Sequence, residues 1–283
     1  MTDVLWKCDA TALLAAYRAG DTTPSAVMAE TLARIAERDP GLGAYSILSG
    51  TAEAEAAAAT ARWRNEAPSG PLDGVPLIVK DNLASAGLPA AWGNAVLSRR
   101  VCAADEIPVE RLRAAGAIVV GKGNCPEFAV EGYTANATFG VTRNPFDPAR
   151  TPGGSSGGVV TALAAGLATI GIATDGGGSI RRPAGYCGLF GLKPGIGHVP
   201  RGGGLAQILL DFEVAGSDHT VGPRLGAARY GAFRTGPAGP GITLAGHGKT
   251  QRAAADSLRS HTGGCALRPG YPRREPRHGR CSG

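Results

Sequence analysis

The chain has 283 residues, 43% of them hydrophobic, enough for one large domain or two ordinary ones with a buried core. Its apolar residues come in short stretches, and the start MTDVLWKCDATALLAAYRAG lacks a basic flank and an unbroken apolar core; a membrane partner and a secretory signal are therefore not expected, and the chain reads as soluble and cytoplasmic. The net charge of +6 would suggest a nucleic-acid partner, but residues 217–283 carry eleven basic and three acidic side chains against 18 and 20 in the remainder, so the basicity belongs to the C-terminal segment alone.

In chain order, TALLAAYRAGD has apolar positions at helical spacing and stops at Gly20. TTPSAVMAETLARIAERDP offers Thr23 as N-cap and Pro24 as the first helical residue of a second amphipathic helix, running to Pro40. An Ala-rich helix is predicted near residues 51–65. GVPLIVKDNL then reads as a short buried strand that delivers Lys80 at its end. DEIPVERLRAAG followed by AIVVGKGN gives a helix and a second buried strand, and GGVVTALAAGLATIGIATDG gives a helix and a third. Helices alternating with apolar strands predict an α/β sheet.

Two glycine-serine clusters, TPGGSSGG (151–158) and TDGGGSIRRP (174–183), flank the last of these helix-strand pairs. Alone, such runs read as linkers. Here they adjoin segments that must be buried, and a glycine-rich turn entering a helix presents backbone N–H groups to a negative charge. Neither cluster holds the lysine of a phosphate-binding G-x-x-x-x-G-K-[ST] loop, and the nearest approach, TLAGHGKT, has Thr243 in place of the first glycine. Acyl transfer needs a nucleophile, a base and oxyanion donors. Ser155, Ser156 and Ser179 are candidate nucleophiles, and no histidine precedes His198. A lysine replaces histidine when burial leaves it a neutral amine, and Lys80 is the best placed. The six cysteines form no C-x-x-C pair, Cys125 and Cys187 have no activating neighbour, and no metal site is expected.

PLDGVPLIVKDN, GKGNCPEFAVEGYTANATFGVTRNPFDPARTPGGSSGG and TDGGGSIRRPAGYCGLFGLKP together resemble the amidase signature family of serine hydrolases, over about residues 11–215. The resemblance implies a mixed β-sheet sandwiched by helices and a Ser-Ser-Lys triad. Lys80 matches the base, Ser155 the bridging serine with a cis peptide, and Ser179 the nucleophile. The N–H groups of Gly176, Gly177, Gly178 and Ser179 match the oxyanion hole. Ser156, Asp175, Arg181 and Arg182 match supporting positions, Asp175 ordering the loop. The implied reaction is hydrolysis of a small-molecule carboxylic amide through an acyl-enzyme, without metal or organic cofactor. CPEFAVEGYTANATFG is more similar to stand-alone amidases than to the A subunit of glutamyl-tRNA amidotransferase, which stays as the alternative and would need a protein partner. A homodimer stays open.

The resemblance stops after ILLDFEVAG. Residues 217–283 hold 19 Gly and Pro against seven Leu, Ile, Val and Phe, and read as a low-complexity basic tail without order, nucleic acid not being an expected partner. Codons GGC-TCC-GAT-CAC-ACG for residues 216–220, read from the second base, give Ala-Pro-Ile-Thr-Arg, the family's continuation. The expectation is a partial domain over 1–216, lacking the C-terminal part of the fold, with an out-of-frame or disordered 217–283. A catalytically inactive remnant is a further alternative.

Overall fold

A computed structural model describes residues 5–194, Val199 and the backbone of Tyr230–Arg234. The elements follow the expected order. Helix α1 (Ala10–Ala19) is capped by the Asp9 carboxylate on Ala12 N, and ends at Gly20, whose φ of 76° is the left-handed conformation that glycine adopts most readily. Helix α2 (Pro24–Leu42) starts as expected, with Thr23 Oγ1 accepting from Ala26 N. It runs through Pro40 to Gly43, where Asp39 takes the following N–H groups of Ala44 and Tyr45. Helix α3 (Ala52–Arg64) follows strand β1 (Tyr45–Leu48), a short element that the sequence pattern does not reveal.

Strand β2 (Pro76–Lys80) is buried at every position, as is β3 (Ile118–Gly123), which follows helix α4 (Ile107–Ala114). After the small hairpin of β4 (Ala135–Asn136) and β5 (Gly140–Val141) come helix α5 (Gly157–Ala164), strand β6 (Ile170–Thr174), the short helix α6 (Arg181–Tyr186) and β7 (Phe190–Gly191). The main sheet has the order β1-β3-β2-β6-β8-β7, where β8 is Tyr230–Arg234. β2 lies parallel to both β3 and β6, whereas β1, β8 and β7 pair antiparallel, so the sheet is mixed.

The residues of strand β8 fall within the segment 217–283. Their backbone pairs with β6 across Ile170–Thr174, covering an edge whose N–H and C=O groups would otherwise lack partners. The boundary expected at 216, the point where the reading frame was expected to change and the rest of 217–283 lie outside the described residues.

Side-chain alternation along β2 divides the core. Ile78 joins α2, α3 and α5 on one face, with Met28, Ile35, Ala56, Val159 and Leu163. Leu77 and Val79 join α4 on the other, with Val109, Leu112 and Ile172. Helices thus cover both faces of the mixed sheet. The same alternation sends Lys80 to the α5 face beside Ile78, and a register in which Val79 pairs with Lys122 sends Lys122 to the opposite face. No helix among the described residues is long and apolar enough to cross a membrane.

Candidate active site

Lys80 ends β2 and Thr174 ends the neighbouring parallel strand β6, so both lie at the carboxyl ends of adjacent strands, where open α/β sheets bind ligands. Lys80 is fully buried. Its Nζ lies 2.6 Å from Ser155 Oγ and 2.9 Å from Thr174 Oγ1. Asn82 Nδ2 donates to the same Thr174 hydroxyl at 3.1 Å. The structure therefore joins Lys80 and Ser155 directly, and adds Thr174 and Asn82, which the sequence reading did not single out. Both stand inside the quoted motifs KDN and TDGGGS, but only tertiary contact shows what they touch.

Ser155 precedes α5, after a cis peptide between Gly154 and Ser155. Two side chains hold this turn through three hydrogen bonds. Thr134 Oγ1 donates to Gly153 O at 2.9 Å and accepts from Gly157 N at 3.1 Å. Arg182 Nη2 donates to Gly154 O at 3.2 Å. Ser156 turns away from Lys80, its Oγ donating to the main-chain oxygen of Thr174 at 3.3 Å.

The loop from Asp175 to Ser179 is organised by one carboxylate. Asp175 is fully buried and accepts from Gly178 N at 2.7 Å, Ile180 N at 3.1 Å and Arg181 N at 3.3 Å, and from Arg181 Nε and Nη2 at 2.9 and 3.0 Å. Burial pushes its pKa up, but the bonds from Arg181 and the three main-chain groups outweigh this and hold the carboxyl below its ordinary value. The ionised Asp175, with Arg181, thus ties this loop together.

One expected oxyanion donor differs. The Gly178 N–H is committed to Asp175, because a buried carboxylate needs donors, and is not offered to a ligand. Gly176, Gly177 and Ser179 have no hydrogen bond from their N–H groups to described residues. A Cβ placed on Gly176 or Gly177 would meet nothing within 4 Å among the described residues, and both glycines are exposed there. Ser179 is partly buried beside them. No hydrogen bond joins Ser179 to Ser155 among the described residues.

Cys125 and Cys187 are buried; burial drives the Cys125 thiol well up and the Cys187 thiol to about 12, so neither is a thiolate near neutrality.

With this geometry in view, the comparisons with known proteins are direct. The family model Amidase matches residues 26–224, and the chain belongs to that family. Over 197 residues it is 44% identical to the A subunit of the glutamyl-tRNA(Gln) amidotransferase of Chloroflexus aurantiacus, covering 69% of this chain and 40% of that protein. Among solved structures it is similar to the native peptide amidase of Stenotrophomonas maltophilia, with TM-score 0.67 and 37% identity over 70% of this chain and 42% of that one. It is also similar to 6-aminohexanoate cyclic dimer hydrolase, with TM-score 0.69 and 33% identity over 83% and 44%. The chain spans about two fifths of the length of the curated relatives it matches. Family and fold agree: the sheet and its helices are those of the amidase signature family.

Proposed function

We propose that the chain cleaves a carboxamide through an acyl-enzyme on Ser179, with Ser155 as proton relay and Lys80 as base. The observation that carries the reading is the 2.6 Å contact between the buried Lys80 Nζ and Ser155 Oγ. Removal from water favours the neutral amine, which is the form able to take a proton. In the first step Ser179 Oγ bonds to the carbonyl carbon, its proton passes to Ser155, and that of Ser155 passes to Lys80. The carbonyl oxygen takes the negative charge and faces the N–H groups of Gly176, Gly177 and Ser179. The C–N bond then breaks as the proton returns through Ser155 to the departing nitrogen, and ammonia or an amine leaves. Water enters the reverse relay and frees the acid. The relay closes when Ser179 turns its hydroxyl to Ser155; such contacts commonly tighten only when substrate is bound.

Two versions of this chemistry differ in the fate of the nitrogen. The solved amidases support a free-standing hydrolase of small amides. The amidotransferase relatives at 44% identity support the other version, in which a partner protein is needed and the released ammonia is passed to an acyl-tRNA, and they are the better-matched relatives. Labelling of the purified chain by a fluorophosphonate probe tests the shared step. It should require both Lys80 and Ser179, being lost in Lys80→Ala and Ser179→Ala. Labelling that persists in either variant sinks the assignment. Ammonia release from glutamine, compared with release from simple carboxamides, then separates the two versions.

A further inference from the structure

A second lysine is as deeply buried as Lys80, and the amide-cleaving steps do not use it. Lys122 stands on β3, next to Val79 in register, and projects to the sheet face opposite Lys80. Its Nζ donates to three main-chain oxygens: Asp81 O at 3.3 Å, Pro89 O at 3.1 Å and Leu83 O at a shorter distance. These three bonds use every N–H of an ammonium group. Burial pushes the Lys122 pKa down, opposed by the Asp81 charge.

The acceptors at 81 and 83 flank Asn82, and 81 directly follows Lys80. Asn82 needs such support. It is 2% exposed, and among the described residues its Oδ1 has no hydrogen-bond partner and its side chain is tied only through Nδ2 to Thr174. A carboxamide held at one end takes its position from the main chain on either side of it. We propose that Lys122 is a positioning residue for the amide-cleaving site: it clamps the turn at 81–83 from behind, and so sets Asn82 and the end of β2 where Thr174 and Ser155 meet Lys80.

Other groups support the same turn without replacing the clamp. Asp81 Oδ1 accepts from Ser46 Oγ and Oδ2 from Gly93 N, both at 2.8 Å, which fixes the Asp81 side chain. Leu83 N donates to Lys80 O at 3.0 Å. None of these three contacts reaches the carbonyl oxygens of 81 and 83, and without Lys122 these would have no donor among the described residues. The turn would then relax toward other donors and carry Asn82 with it.

The inference rests on Lys80 acting as the base, and a double-mutant cycle in the full chain tests it. Fluorophosphonate labelling is followed against probe concentration for the parent, Lys122→Met, Asn82→Ala and the double variant, with thermal melting in parallel. Lys122→Met keeps the length of the side chain and removes its donors. The expected result is a limiting labelling rate about 10- to 100-fold lower, the loss typical of small misplacements, with the half-saturating probe concentration unchanged. The double variant should lose little more than Asn82→Ala alone, because both act through one segment. Additive losses, an unchanged limiting rate, or a loss confined to probe affinity overturns the proposal. If Lys122→Met does not fold, Lys122→Gln, with two N–H donors on a shorter arm, carries the same comparison. A Lys80→Ala variant that labels like the parent overturns the base assignment instead, a result the cycle itself would not produce.

Discussion

Asp175→Asn should damage both stability and the rate of acylation, and the contacts set the size of the effect. The carboxylate accepts five N–H bonds, two on Oδ1 and three on Oδ2. An asparagine keeps one acceptor oxygen and turns an NH2 group toward the remaining donors. If its oxygen takes the Oδ2 side, Gly178 N and Arg181 Nη2 face a donor. A buried donor left without a partner costs about 1–3 kcal/mol. Arg181 is 51% exposed and recovers part of its loss in water, so the expected cost is about 2–3 kcal/mol, a melting shift of roughly 5–10 °C. The freed Gly178 N–H also loosens the loop that carries Ser179, and labelling should slow by about 100-fold. The pH dependence has a definite sign. The folded pKa of Asp175 lies below its ordinary value, so its contribution is complete above about pH 3.9 and is lost as pH falls through the folded value. Urea unfolding of parent and variant at pH 7 and at pH 3 should therefore show a gap that narrows in acid. Equal midpoints at pH 7 together with an unchanged labelling rate would refute the argument that this carboxylate organises the loop.

Gly158→Ala and Gly176→Ala should behave oppositely. A Cβ on Gly158 would meet the main chain of Asn124 and Ala44, with Asn124 O at 2.6 Å, and backbone cannot move aside cheaply; a loss of about 3 kcal/mol is expected in thermal melting. A Cβ on Gly176 meets nothing, so Gly176→Ala should melt like the parent while labelling more slowly, and equal effects of the two on melting would contradict the packing. Arg62→Met removes the partner of the buried Asp73, to which Arg62 donates at 2.5 and 3.0 Å from a side chain that is 36% exposed. Burial raises the Asp73 pKa, but the Arg62 and Ser69 bonds lower it further, so the variant should lose about 1–2 kcal/mol in urea at neutral pH and draw level with the parent as acid protonates Asp73.

Much of the frame could be read from residues 10–174 because burial there follows period. PLIVK is apolar up to its last residue, so a strand ending on a lysine was legible, and the structure buries that lysine completely. The strands β1, β4, β5 and β7 were not legible, since each has two to four residues and no run long enough to show alternation. The glycine-serine clusters pointed to Ser155, which lies against Lys80, but not to the other hydrogen bonds around that lysine. Gly178 looks like its neighbours in GGGS, and only the fold shows that its N–H belongs to Asp175. Asn82 and Thr174 are ordinary polar residues whose meaning lies in a contact across 92 positions. Tyr230–Arg234 entered the sheet from a segment poor in apolar residues, because strand pairing to an open edge depends on backbone groups that every residue other than proline carries in full.

The roles proposed for the two buried lysines, a base for Lys80 and a clamp for Lys122, rest on a difference in partners more than on burial. Lys122 faces carbonyl oxygens, which can only accept. Three such acceptors reward the full ammonium, and none can give a proton to the nitrogen. Lys80 faces the hydroxyl groups of Ser155 and Thr174, each of which can either accept an N–H or donate its own O–H. A hydroxyl beside a neutral amine can turn its proton toward the lone pair, and beside an ammonium it can turn a lone pair toward the proton. The contact to Ser155 therefore survives in both protonation states with little movement of heavy atoms, which is what a relay needs when the proton travels in and then back out. Exchanging the environments would reverse the roles. Thr174→Ser should keep labelling near the parent rate, because the second hydroxyl remains, whereas Thr174→Val should lower it, because Lys80 and Asn82 both lose the oxygen they share. Indistinguishable rates for these two variants would mean that the hydroxyl character of the pocket does not govern the lysine.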